Sequence, residues 1–393
     1  MKNWPRKFGL VCAAISLATG HAQSPAPALA LVGGADAAKW EEWAKPSGWR
    51  ILAAPAEAAP AKAGGDARLL ALAQVVRGAV ARHEVDPAHV YLAGRGDDAA
   101  TVFYGISRLP DLWAAGVAIG GSPEPAIQSG RLFTANFGLA PVLWVGGSNG
   151  DEAFAERLQA AGMSVEWRPP AGLATAAVFE WLARHERPEF PTEIDCETNS
   201  PEFASCYWLR PMTFDAGERN DVLPSTRVAA GSGAHLDLGG FGYKTDDPGP
   251  GLLVSFLPQK YSGPLKLGDR LLELDGKPIE NPAQYAATMG RMNETRHAAV
   301  MLERGKDRIR IETTVIVPRH EALVTARVQG RYDSEQKQVL VISRTVTKMN
   351  VTLPVQWLPA TLLWNGLTLE NVAQPGCIQL TIDHELLHAA PCP

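Results

Sequence analysis

Along the first half of the chain, short apolar runs alternate with stretches whose apolar residues recur at helical spacing. Leu29–Val32 is an apolar run closed by Gly33 and Gly34, and Trp49–Ala53, Val90–Ala93, Ala114–Ile119, Pro141–Val145 and Ser164–Trp167 repeat the pattern. Such runs mark buried strands. Between them, Ala35–Lys45, Asp66–His83, Ala99–Leu109, Asp151–Ala161 and Ala174–His185 predict helices. The clearest is Asp66–His83, where Leu69, Leu70, Leu72, Val75, Val76 and Val80 share one face. Strand and helix in strict alternation predict a parallel sheet with helices on both faces over residues 25–190.

Beyond Pro188 and Pro191 the pattern changes. Tyr207–Leu238 predicts short strands and turns, and residues 191–237 read as a connector with its own disulfide loop. Residues 238–318 form a second block: a strand at Leu252–Leu257, a helix at Pro282–Met289, and strands at Ala298–Arg304 and Asp307–Val317. In residues 319–393, period-2 runs rich in β-branched residues at Leu323–Val328, Gln338–Val346, Val355–Leu358 and Ile378–Ile382 predict a small antiparallel β-domain. The fold class is therefore multi-domain: a parallel α/β domain, an α+β domain and a β-domain.

The segment Val85–Pro123 carries the first resemblance. Its order is strand, tight turn at Gly94–Gly96, helix, and strand ending in Gly120-Gly121. This resembles the nucleophile elbow of secreted α/β-hydrolases of the polyhydroxybutyrate-depolymerase and feruloyl-esterase type, whose pattern is G-x-S-x-G-G. Laid on the motif, Gly94 takes the first glycine, Gly96 the serine, and Asp98 a later glycine. The resemblance implies an acid after the strand at Pro141–Val145, where Asp151 stands, and a histidine after Trp167, where Gly172 is followed by Leu173. Glycine cannot attack a carbonyl, and leucine cannot take a proton. The expectation is a hydrolase scaffold without its reaction centre.

Other residues offer chemistry. Gly146-Gly147-Ser148-Asn149-Gly150 is a literal G-x-S-x-G, which makes Ser148 an alternative nucleophile with Asp151 nearby, but no histidine follows in order. Ser122 precedes Pro123, which has no N–H to offer an oxyanion. His384-Glu385-Leu386-Leu387-His388 spells H-E-x-x-H, a zinc-peptidase pattern when it lies on a helix. Here it follows a strand, with the chain ending at Pro393 and no third ligand beyond it. Arg95-Gly96-Asp97 spells an adhesion tripeptide, but Asp97 and Asp98 suit a helix cap better.

A second resemblance spans residues 238–318. Gly239-Gly240-Phe241-Gly242-Tyr243, then Leu267-Gly268-Asp269-Arg270-Leu271 and Leu274-Asp275-Gly276-Lys277, resemble the motifs of a bacterial PDZ domain. The resemblance implies binding of an extended or C-terminal peptide as an added strand, with the carboxylate held by backbone N–H groups. Gly240, Phe241, Gly242 and Tyr243 match the carboxylate loop, and Leu252, Leu253 and Val254 are the candidate groove wall. A groove filled by the protein's own chain is the alternative.

Composition narrows the functional classes. The 393 residues carry a net charge of −5 and no basic run, which argues against a nucleic-acid partner. Lys2, Arg6 and Lys7, the apolar stretch Phe8–Gly20, and small residues to Ala22 resemble a secretory signal over residues 1–22. With no later apolar run of about 20 residues, an exported protein of periplasm or extracellular space is expected. Of five cysteines, Cys12 leaves with the signal. Cys196/Cys206 and Cys377/Cys392 are close enough in sequence to pair locally in an oxidising compartment. No cofactor is expected, and no C-x-x-C spacing supports zinc.

Overall fold

A computed structural model describes residues 25–33, 36–55, 65–148, 150–171, 174–218, 220, 222–228, 233–318, 324–383 and 386–393. The expected signal at 1–22 and Leu173 lie outside the described residues.

The N-terminal module alternates as the apolar pattern requires: β1 (Ala26–Leu31), α1 (Ala37–Ala44), β2 (Arg50–Ala53), α2 (Gly65–Ala81), β3 (Val85–Arg95), α3 (Ala99–Arg108), β4 (Ala115–Ile119), α4 (Glu124–Gln128), β5 (Val142–Val145), α5 (Asp151–Ala160), β6 (Val165–Arg168) and α6 (Thr175–Ala183). All six strands are parallel, in the order β2-β1-β3-β4-β5-β6. Strands buried on both faces need continuous apolar runs. Accordingly, Ala28, Ala30, Val90, Leu92, Val142 and Trp144 face the side covered by α2, α3 and α5. Leu29, Leu31, Tyr91, Val117, Leu143 and Val145 pack against α1 and α6. Helix α3 approaches the sheet closely because Gly105 and Gly116 leave room for Leu92, Val102 and Ile106.

The chain then enters a β-sandwich. Strands β7 (Glu193–Thr198) and β8 (Leu209–Phe214) belong to two different sheets of it. The second module follows, with β9 (His235–Leu236), β10 (Gly242–Tyr243), β11 (Leu252–Phe256), β12 (Arg270–Leu274), β13 (Lys277–Pro278), α7 (Pro282–Gly290), β14 (Arg296–Arg304) and β15 (Asp307–Ile316). Its sheet runs β10-β11-β12-β14-β15-β9, with β13 paired to β12. Strands β16 (Ala326–Asp333), β17 (Gln338–Arg344), β18 (Val346–Leu353), β19 (Ala360–Trp364), β20 (Leu367–Val372), β21 (Gly376–Asp383) and β22 (Leu386–Pro391) complete the sandwich. One sheet is β20-β19-β17-β16-β7 and the other β22-β21-β18-β8. Their common core holds Trp208, Val341, Met349, Val351, Leu362, Trp364 and Leu380.

Three expectations are corrected. Residues 191–237 are not a separate connector: β7 pairs with β16 and β8 with β18, so the second module is an insertion within the sandwich. Local alternation shows that a strand exists but not which distant strand it joins. Val355–Leu358 is a 3-10 turn over Val355–Trp357 rather than a strand. Pro354 and Pro359 bracket it, and Trp357 turns inward to stack on Tyr332 with ring centroids 4.5 Å apart. The C-terminal domain is not wholly antiparallel, because β17 and β19 run parallel.

Both local disulfides form, Cys196–Cys206 and Cys377–Cys392. Among the described residues no helix is long and apolar enough to cross a membrane.

The α/β module and the sandwich meet through buried polar groups. The Asn136 amide nitrogen donates to the carbonyls of Ser107 and Glu197 (2.8 Å to the latter), while its oxygen accepts from the Glu197 N–H at 2.7 Å. The buried Glu197 carboxylate accepts from Ser225, Thr226 and Thr325. Arg108, 2% exposed, lies over the Phe203 ring at 4.0 Å and donates to Asn199 at 2.5 Å. The Asn136 and Arg108 bonds cross from the α/β module to the sandwich, which stabilises one relative placement over others.

Candidate functional site

Strand order locates the first crevice. From β1 the chain steps to β2 on one side and then crosses back to β3 on the other, so the order reverses between β1 and β3. Open α/β sheets bind ligands outside the carboxyl ends of the strands at such a reversal. Those ends are Val32-Gly33 and Arg95-Gly96, with Gly120-Gly121 beside them at the end of β4.

The turn has elbow geometry. Gly96 has φ +57° at the junction of β3 and the 3-10 turn Gly96–Asp98, which leads into α3. A Cβ placed on Gly96 meets nothing within 4 Å, so a side chain there would stand free above the sheet. Gly121, at φ +64°, lies so close that any Cβ on it would overlap the Gly96 carbonyl.

Charged side chains surround that open position. Asp98 does not cap α3 through its side chain, contrary to the sequence expectation. Its carboxylate instead packs directly over Gly33 and lies 3.5 Å from Arg68, which also donates to the Val32 carbonyl at 2.9 Å. In a working elbow, the loop after β1 supplies an N–H to the oxyanion. Here the Asp98–Arg68 ion pair occupies the space over that loop. Arg95 is turned away toward Asp36 (3.4 Å) and the face of Trp43 (5.1 Å).

No histidine of this module reaches the elbow among the described residues. His83 follows α2, His185 follows α6, and His89 opens β3. Helices of a parallel α/β fold run against the strands, so all three lie at the amino-terminal edge of the sheet. The Tyr91 hydroxyl bonds the His185 carbonyl at 3.0 Å, and Arg187 N–H bonds the Ala88 carbonyl at 2.9 Å, which ties that segment to the start of β3. His89 pairs with Asp86 at 2.7 Å. At about 3.3 Å per residue, His89 and Gly96 stand about 23 Å apart.

Asp151 and Ser148 do come together, but as a loop closure. The Asp151 carboxylate accepts the Ser148 N–H at 2.9 Å, in a turn whose Gly150 has φ +94°. Ser148 is exposed, and no histidine among the described residues lies against it. Of the H-E-x-x-H stretch, Leu386 pairs with Asp383 and His388 with Thr381 across β21 and β22. His384 and Glu385 lie outside the described residues. From Leu386 onward the chain is a strand, where residues i and i+4 do not share the helical face that the metal pattern needs. Among the described residues no group of three or more metal-ligating side chains gathers.

A cavity of about 440 Å³ lies beside the elbow, between the first turns of α2 and α3 and helix α4, lined by Asp66, Thr101, Tyr104, Ser129 and Arg131. Tyr104 donates to Asp66 at 2.5 Å, and Arg131 binds the other carboxylate oxygen at 2.8 Å. Burial and then the Asp66 hydrogen bond push the Tyr104 phenol up. Sequence reading passed over this cluster because its members are far apart in the chain and match no motif.

In the inserted module, Gly239 and Gly240 turn the chain at φ +80° and +70° just before β10. Strand β10 is an edge of the sheet, and α7 lies beside it, with the Tyr243 and Tyr285 rings edge to face at 5.8 Å. Burial pushes the Tyr285 phenol, and less strongly that of Tyr243, above the ordinary range, so both stay neutral near pH 7. Gly242 and Tyr243 thus form the edge strand, and Gly240 and Phe241 lie in the turn before it. Leu252 and Val254, the expected groove wall, are buried. They sit in interior strand β11, fully buried in the module's core, while Leu253 is half-buried on the other face. Alternation along the strand puts Leu252 and Val254 on the face that packs into the core and Leu253 on the opposite face.

No family model matches the chain, and no curated protein matches it. Among solved structures, esterase PE8 is 16% identical, with 41% of this chain and 91% of that chain covered at a TM-score of 0.30. A variant of the Arabidopsis thaliana protein SOBER1 is 15% identical (41% and 98% covered, TM-score 0.27), and a Bacillus cereus carboxylesterase is 13% identical (41% and 88%, TM-score 0.28). The chain thus has esterases among its structural neighbours and, by its own strand order, a parallel α/β domain with a glycine elbow at its topological switch point.

Proposed function

We propose that this protein is an exported, non-hydrolytic relative of the α/β-hydrolases that works by binding, with its PDZ-like insertion taking an extended or C-terminal peptide. The observation that carries the reading is the edge position of β10 next to α7, opened by the Gly239-Gly240 turn. An edge strand offers unpaired N–H and C=O groups to one more strand, and a neighbouring helix supplies contacts for alternate side chains. The elbow supports the non-hydrolytic half of the proposal: Gly96 has no nucleophilic atom, and the Asp98 carboxylate, paired with Arg68, packs over the Gly33 loop that would have to hold an oxyanion. Ser148 is a weaker nucleophile candidate because its only near carboxylate is held by the Ser148 N–H itself.

Two assays test the proposal on the mature chain. Fluorophosphonate labelling is expected to modify no serine, and labelling of any activated serine would overturn the non-hydrolytic reading. Fluorescence anisotropy with peptide libraries bearing free carboxyl termini is expected to show binding. Ala286→Arg, an exposed substitution on α7, is expected to abolish it. Binding unchanged by Ala286→Arg would overturn the assignment of the groove.

A further inference from the structure

The β10–α7 groove does not open to bulk solvent alone. Across from it stand α4 and α5 of the α/β module, and the space between holds about 730 Å³. That volume is within the range of ligand pockets. Tyr243, Tyr285, Ala286 and Met289 line one side, and Ile127, Phe154, Arg157 and Leu158 line the other. The apolar residues of the two sides face each other, so a side chain leaving an added strand on β10 would enter space walled by both modules.

Charge adds specificity. Arg157 is exposed and its guanidinium lies over the Phe154 ring at 5.1 Å. Four residues before and after it on the helix stand Ala153 and Ala161, so no carboxylate pairs with it along α5. Among the described residues it makes no ion pair. Among the described residues the one carboxylate lining the cleft is Glu124, which accepts from Gln128 at 3.2 Å. Glu124 keeps its charge on the α4 side, so the lining is near neutral as a whole, and Arg157 is the local positive charge of the α5 wall.

We infer that the cleft between the PDZ-like insertion and α4–α5 is a two-module binding site for an extended peptide that places apolar side chains between the two walls and an acidic side chain against Arg157. This rests on the peptide-groove reading above and deepens it. The insertion supplies backbone pairing through β10, and the former hydrolase module reads the ligand's side chains. That role gives the α/β scaffold a function that needs no nucleophile.

The test uses the full mature chain with fluorescein-labelled octapeptide libraries, free at the carboxyl terminus, in which each position in turn is fixed as Glu or Lys. At one position Glu is expected to bind about fivefold more tightly than Lys at low salt, the upper range for a partly exposed pair. Arg157→Glu is expected to reverse that preference. Arg184→Glu, an equal charge change at an exposed residue just after α6, is expected to leave it alone. Peptide binding blocked by Ala286→Arg but indifferent to Arg157→Glu would overturn the two-module site and leave the groove intact. An equal effect of Arg184→Glu would overturn it as well, since long-range charge would then explain the preference. Absence of any peptide binding would overturn the groove reading and this inference with it.

Discussion

Replacing Gly96 by serine restores the literal elbow motif and separates geometry from chemistry. Gly96 sits at φ +57°, a conformation that costs a residue with a side chain about 1–2 kcal/mol. No atom lies within 4 Å of the new Cβ, so no packing cost is added. For a domain of this size, about 2–4 °C of melting temperature is lost per kcal/mol, which predicts a fall of about 2–8 °C. Gly121→Ala is the contrast. Its φ is +64° and its Cβ overlaps the Gly96 carbonyl, a backbone atom with little room to move. Overpacking adds about 1–3 kcal/mol, so the total loss is about 2–5 kcal/mol. Thermal melts followed by helical circular dichroism report on the right module, because every helix but α7 belongs to it. Alongside, p-nitrophenyl butyrate turnover by Gly96→Ser is expected to equal background, since no described histidine of the module lies at the elbow edge of the sheet. Equal destabilisation by the two substitutions would refute the open-elbow geometry. Serine-dependent turnover by Gly96→Ser would refute the claim that the base is missing.

Three further outcomes are expected. Asn136→Ala strips bonds from the buried N–H and carbonyl of Glu197 and from the Ser107 carbonyl, and is expected to cost about 2–4 kcal/mol in urea denaturation, against under 1 kcal/mol for exposed Gln74→Ala. Asp269 is buried, which works to raise its pKa, but hydrogen bonds from Arg304 and the Lys266 N–H outweigh this and hold it below the ordinary carboxylate range. A depressed folded-state value means that its contribution is present above the unfolded pKa of about 3.9 and is lost as pH falls through the folded value. Melts between pH 7 and pH 2.5 should therefore steepen below about pH 4, and Asp269→Asn should remove that part of the acid sensitivity. Paired Cys196→Ser and Cys206→Ser changes are expected to cost the sandwich about 2–3 kcal/mol, whereas removing Cys377–Cys392 should mainly raise hydrogen exchange in β22, whose partner β21 holds it through an intact ladder.

The parallel α/β module was legible in the sequence because its strands are buried on both faces, and each therefore appears as a continuous apolar run between helically spaced stretches. The elbow was legible because a strand–turn–helix junction needs glycine at fixed spacing, and Gly94, Gly96 and Gly121 show it. The cysteine pairing followed from short separations. Tertiary structure alone decided the rest. Nothing local in β7 or β8 says that their partners are β16 and β18, more than a hundred residues away, so the sandwich and the inserted position of the second module appear only in the fold. Leu252 and Val254 look like any half-buried strand until the module's core is seen to pack on their face. Asp98 looks like a helix cap until Gly33 is seen to leave space for its carboxylate. Arg157 and Tyr285 lie on helices of different modules, each unremarkable in its own amphipathic pattern. Periodicity along one element shows which face is apolar, but which apolar and charged faces meet depends on how whole modules pack, and that is a property of the tertiary structure.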